Sequence, residues 1–156
     1  MTHFTLSSDY RLSTDPLPGS PTLILTVGLP RSGKSTWAKE QGYPIVSPDA
    51  IRLALHGSAF VASAEPVVWA TAKLMVTALF GAGHMTVILD ACNVTSKRRA
   101  EWLDSRWAVT YCVHATPVEE CMSRAESTGR PELVEIIRRM DRNFQCVRVA
   151  FNEKEY

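Results

Sequence analysis

The sequence predicts an α/β domain in which a parallel sheet carries helices on both faces. From Thr22 onward, short apolar runs alternate with longer amphipathic ones, the pattern of strands and helices wound into such a sheet. A length of 156 residues suits a single domain, because two would each sit at the low end of self-sufficient cores. At this size folding buries about 70% of the extended chain's surface, enough for a core without staples. Hydrophobic residues at 46% and charged residues at 21% are ordinary globular values, which excludes a disordered or collagen-like chain.

Residues 1–21 are rich in Ser, Thr, Asp and Pro without periodicity, and are expected to form a flexible extension ahead of a domain spanning 22–156. LILTVG (23–28) is the first strand and about Lys34 to Gln41 the first helix. YPIVS (43–47) is the second strand. Ser47 is a good N-cap and Pro48 suits a first helical position, so a helix follows over about 49–55. The third helix spans 66–82, with Val68, Ala72, Met75 and Leu79 at three-to-four spacing. Lys73 lies at its centre and adds roughly 2.5 to 3.5 kcal/mol to membrane insertion, so the run reads as a largely buried helix of a soluble fold rather than a membrane span. MTVILD (85–90) and WAVTYCVH (107–114) are strands flanking a helix at 96–105. Helices at 118–126 and 132–143 follow, and CVRVAF (146–151) is a candidate short edge strand. There is no internal repeat.

A net charge of +1 gives little long-range steering, so any polyanion has to be met by a local basic patch. The four cysteines and four histidines are scattered without zinc-ligand spacing, so the thiols are expected to be reduced. The N-terminal residues lack the basic start and apolar run of a secretory signal, and a cytoplasmic setting is expected.

Chemistry concentrates where the first strand ends. Gly28-Leu29-Pro30-Arg31-Ser32-Gly33-Lys34-Ser35-Thr36 satisfies G-x-x-x-x-G-K-[ST]. The glycines let successive backbone N–H groups turn inward as an anion nest, and the following helix directs its positive end to the same place. Lys34 has the reach and charge for β and γ phosphates, and the Ser35 hydroxyl can ligate Mg²⁺. Asp90 closes an apolar strand. Alone it reads as a helix cap, whereas beside a phosphate loop it fits the acidic residue that holds Mg²⁺.

Asp49 falls in the first turn after the second strand, at the sheet end where ligands sit in doubly wound folds. Arg52 lies three residues on, on the same helix face. The pair reads either as a local ion pair or as a carboxylate able to take a hydroxyl proton beside a guanidinium able to hold an anion.

ILTVGLPRSGKSTWAKE, SPDAIR and VILDACNVTSKRRAEW, in this order and spacing, resemble the phosphate loop, the Asp-x-x-Arg segment and the Asp-x-(Thr)-Asn…Arg-Arg segment of 5′-hydroxyl polynucleotide kinases of the phage and bacterial end-healing type. The resemblance extends more loosely from Leu23 to about Phe144. It implies a P-loop NTPase-type sheet, ATP and Mg²⁺ as donor and metal, and the 5′-hydroxyl end of a nucleic acid as acceptor. By it, Gly28, Arg31, Ser32, Gly33, Lys34, Ser35 and Thr36 form the nucleotide-binding loop, and Ser35 with Asp90 holds the metal. Asp49 is then the general base, and Arg52 clamps the acceptor's neighbouring phosphate. A late lid arginine corresponds to Arg124 or Arg130, placed to stabilise transition-state charge, while Arg138, Arg139 and Arg142 read as a solvated helix face.

This chain departs from the family pattern at two positions. Arg31 stands where many relatives have Gly, which requires that its backbone not need a positive φ. Cys92 replaces the usual Thr, removing a hydroxyl contact. No phosphatase or ligase segment follows the kinase-like region, so a single-function enzyme is expected. Two alternatives stand beside this reading: a kinase of the same fold acting on a small hydroxyl compound, favoured by the low net charge and few aromatics, and an NTP-binding regulatory or toxin-like module with little turnover. A basic groove would separate the first two, and residues 97–106, with Lys97, Arg98, Arg99 and Arg106, are its candidate.

Overall fold

The computed structural model describes residues 17–57 and 60–147. In chain order the elements are β1 (Thr22–Val27), α1 (Lys34–Glu40), β2 (Ile45–Val46), α2 (Pro48–His56), a 3-10 turn (Ala62–Ala64), α3 (Glu65–Gly81), β3 (Thr86–Leu89), α4 (Ser96–Ala100), β4 (Ala108–Val113), α5 (Val118–Ser127) and α6 (Leu133–Arg142). The strands form one parallel sheet in the order β2-β3-β1-β4, with helices on both faces. The chain steps to one side of β1 to make β2 and β3, then to the other side to make β4. The carboxyl end of β1 is therefore the switch point at which such sheets open a crevice.

Leu23 and Leu25 of β1 and Val87 and Leu89 of β3 pack with Val68, Ala72 and Val76 of α3. Trp102 and Trp107 complete this cluster, the Trp107 indole N–H donating to the Trp102 carbonyl at 2.9 Å. A second cluster joins Cys121 and Ala125 of α5 and Ile137 of α6 to Leu29 and Val94, which seats the α5–α6 hairpin on the two loops leaving β1 and β3.

Local chemistry sets the element starts as expected at α2, where Pro48 opens the helix and the Ser47 hydroxyl accepts from the Ala50 N–H at 3.3 Å. Elsewhere the boundaries differ from expectation. Only Ile45 and Val46 of the 43–47 run pair as a strand; Pro44 has no N–H for the ladder, although its carbonyl accepts from Ile88 at 2.9 Å. The helix expected over 96–105 ends at Ala100. The N–H groups of Trp102 and Leu103 bond to carbonyls three residues back, a tighter turn that carries Trp102 into the core.

Residues 146 and 147 of the expected edge strand carry no strand pairing, and 148–151 lie outside the described residues. The segment before them is fixed by the buried side chain of Arg99, which donates to the carbonyls of Asn93 and Gln145, both at 2.9 Å. Of the expected extension, 17–21 leads into β1 through a turn, and 1–16 lies outside the described residues. Among the described residues no helix is long and apolar enough to cross a membrane.

Candidate active site

The loop 28–36 leaves β1 at the switch point. Gly28 is required there by packing, since a Cβ would lie 2.7 Å from Ser32 Oγ and 2.9 Å from the His114 carbonyl oxygen. Its N–H donates to the Cys92 carbonyl at 2.9 Å, which joins the loop to the segment after β3. Gly33 caps α1 in the left-handed region, at φ 97°.

Arg31 also has a positive φ, 67°, contrary to the expectation that this position tolerates Arg through an ordinary backbone conformation. A non-glycine residue there costs about 1 kcal/mol or more. The Arg31 carbonyl, in this conformation, accepts from Arg124 Nη1 at 3.1 Å. Arg31→Gly is therefore expected to stabilise the fold by up to about 1 kcal/mol, read by chemical denaturation. Destabilisation would show that the Arg31 side chain outweighs its backbone strain.

Lys34 is buried, 7% exposed, rather than lying in a solvated loop. Its ammonium donates to the Leu29 carbonyl at 2.6 Å and to Ser32 Oγ at 3.4 Å, so the cation sits inside the curl of the loop. Ser35 Oγ donates to Asp90 Oδ2 at 2.6 Å, bringing together the two residues expected to hold a metal. A hydroxyl and a carboxylate are hard oxygen donors that suit Mg²⁺, which keeps most of its shell for water and phosphate. Thr36 is exposed on the first turn of α1. Asn93 is buried at φ 47°, donating from Nδ2 to the Thr26 carbonyl at 2.8 Å, while its Oδ1 is buried without a partner. The Lys34 cation inside the loop and the paired oxygens of Ser35 and Asp90 fit a polar ligand such as Mg·ATP. Burial pushes the Cys92 thiol up from its ordinary range, and the nearby charge of Lys34 opposes that shift.

At the end of β2, Asp49 points to solvent with its side chain 90% exposed, and its Oδ1 accepts from Arg52 Nη1 at 2.7 Å. Arg52 is not a free guanidinium. Glu65 at the start of α3 takes its Nε and Nη2 in a two-oxygen clamp at 2.7 and 2.8 Å. Glu65 was not among the residues singled out from sequence; its place in the first turn of a helix is the only local signal. Thr116, whose hydroxyl holds the Ser32 carbonyl at 2.9 Å, carried no signal at all.

Of the two lid candidates, Arg124 reaches the loop and also pairs with Glu120, whereas Arg130 pairs with Glu132 and is nearly half exposed. Of the candidate basic groove over 97–106, only Lys97 is exposed and unpaired among the described residues; the three arginines are not free charges. Arg98 pairs with Glu101 at 2.6 Å, Arg106 clamps Asp104, and Arg99 is buried against backbone carbonyls. The Arg106 contacts hold the Asp104 carboxyl down at about 2. Arg138 and Arg142 both face Glu135 from more than half-exposed positions on α6.

The comparison with curated protein sequences returned no match. Among solved structures the fold is similar to a chain of the Pnkp1/Rnl/Hen1 complex, with a TM-score of 0.63 and 20% identity over 91% of this chain and 45% of that one. It is also similar to the Mycobacterium tuberculosis APS kinase CysC in complex with AMPPNP and APS, at TM-score 0.61 and 20% identity over 84% and 86% of the two chains. A gluconokinase from Sinorhizobium meliloti 1021 aligns at TM-score 0.58 and 18% identity over 86% and 79%. The chain spans about half the length of the Pnkp1-complex chains it matches. A family model described as an AAA domain matches residues 23–146, from the first strand through the segment pinned by Arg99, and the chain belongs to that family.

Proposed function

We propose that this protein is an ATP-dependent phosphotransferase that moves the γ-phosphate to the 5′-hydroxyl end of a nucleic acid. The observation that carries this reading is the convergence of donor and acceptor chemistry on neighbouring strand ends. The phosphate loop leaves β1, Asp90 follows β3, and Asp49 follows β2. The order of the three motifs supports the nucleic-acid acceptor; the similar structures, which include a chain of an RNA repair complex as well as an APS kinase and a gluconokinase, support the fold common to both acceptor classes.

In this mechanism the loop amides and Lys34 would hold the β and γ phosphates, and Ser35 and Asp90 would hold Mg²⁺. When bound, Mg²⁺ neutralises charge on the phosphate oxygens. The exposed Asp49 carboxylate takes the proton of the acceptor hydroxyl as its oxygen attacks the γ-phosphorus and the bond to the β-phosphate oxygen breaks, leaving ADP. Arg124, already against the loop, stabilises the charge that develops on the transferred group.

Transfer of label from γ-labelled ATP to 5′-hydroxyl oligonucleotides tests this function. Labelled 5′ ends are expected, and release of free phosphate alone would refute the transfer. A specific observation favours a second reading, a small hydroxyl compound as acceptor, because Arg98, Arg99 and Arg106 are occupied and leave only Lys97 of the candidate basic groove exposed and unpaired among the described residues. Labelled small molecules from a cell extract, with unlabelled oligonucleotides, would select it.

A further inference from the structure

We propose that Glu65 is a positioning residue for the acceptor side of the site, holding Arg52 so that its guanidinium orients the Asp49 carboxylate; the inference rests on the phosphotransferase reading above. Three arms of one guanidinium are in use. Nε and Nη2 donate to the two oxygens of Glu65 and Nη1 donates to Asp49 Oδ1, all at 2.7 to 2.8 Å. The two ends of this chain differ in environment. Arg52 and Glu65 are 12% and 18% exposed at the side chain, whereas Asp49 is 90% exposed. Arg52 is thus anchored in the protein by Glu65 and extends a fixed donor to a carboxylate in solvent.

Glu65 is itself fixed from the other side. The Trp69 indole N–H donates to Glu65 Oε2 at 3.1 Å, and the Arg98 guanidinium lies 3.9 Å from the centre of the Trp69 ring. Arg98 is in turn paired with Glu101. The run from α4 through α3 to α2 gives the Arg52 fork one well-defined orientation, and a planar two-oxygen clamp keeps it there more strictly than a single contact would. The clamp holds Arg52 further above its ordinary value and Glu65 further below its own than any other neighbour does. On this geometry Arg52 supports the general base first, and only its remaining N–H groups are open to an acceptor.

The competing explanation is that Glu65 merely docks α3 on α2 and favours the start of its helix. Kinetics in two backgrounds separates the two. Glu65→Gln is nearly isosteric and keeps an oxygen for Trp69 but loses the charged clamp. It is expected to lower kcat about 10- to 100-fold, the scale of a small misplacement at a reacting centre, with the KM for ATP changed less than about twofold. In the Arg52→Ala background the same substitution is expected to change kcat less than about threefold, because the group it positions is gone. A similar fold-loss in both backgrounds, or no loss in the first, overturns the proposal, and so does a loss that only follows a fallen melting temperature. Should Glu65→Gln not fold, Glu65→Asp takes its place, with the charge kept and the reach shortened. The phosphotransferase reading fails in a different way: the unmodified protein then labels no hydroxyl acceptor, and the positioning role falls with it.

Discussion

Lys34→Met abolishes phosphoryl transfer, with an expected loss of at least about 10²- to 10³-fold, the scale of removing one donor aimed at developing charge. The buried ammonium donates to the Leu29 carbonyl inside the loop, so it is a preorganised cation at the place where β and γ phosphates would lie. Its burial also decides which substitution is informative. Alanine would leave a void in the curl of the loop as well as removing the charge, whereas Met keeps most of the stem. Labelled-ATP transfer and a melting curve on the same preparation form the check. A folded Lys34→Met protein with normal turnover would remove the phosphate-loop assignment.

The second large effect separates Asp49 from Asp90. Asp49→Asn keeps an oxygen for Arg52 Nη1 but cannot take a proton, so nucleotide binding is expected to persist while transfer falls by 10²- to 10⁴-fold, the usual range for general-base catalysis. Added metal should not restore it. Asp90→Asn changes the partner of Ser35 Oγ, and is expected to raise the Mg²⁺ concentration needed for activity, with part of the rate recovered by excess Mg²⁺ or Mn²⁺. Metal titrations of both variants read the difference. Rescue of Asp49→Asn with no response from Asp90→Asn would exchange the two roles.

The placement of both carboxylates at strand ends was legible in the sequence because each is set by short-range chemistry: Asp49 follows an N-cap and a first-turn proline, and Asp90 directly follows an apolar strand. The strand and helix alternation was legible for the same reason, down to the Ser47 cap. What could not be read depends on partners far along the chain. Arg52 finds Glu65 13 residues away, Arg99 finds the Gln145 carbonyl 46 away, and Arg124 finds the Arg31 carbonyl 93 away. Spacing rules see a helix face and do not see what the fold lays against it. For that reason Arg98, Arg99 and Arg106 looked like free charges, and Arg124 and Arg130 looked equivalent. The positive φ of Arg31 was hidden differently, since a side chain's identity forbids little when the surrounding loop over-determines the backbone.

Arg99 bears on how the molecule can be shortened. The residue is 5% exposed, and desolvation lowers its pKa; two of its acceptors are the carbonyls of Gln145 and Cys146. A version cut after Asn143 would lose no strand or helix among the described residues, yet it would leave a buried cation short of acceptors, a defect that costs several kcal/mol when uncompensated. A shortened version that keeps these contacts therefore reaches at least through Cys146, about three residues beyond a boundary chosen from the described secondary structure alone.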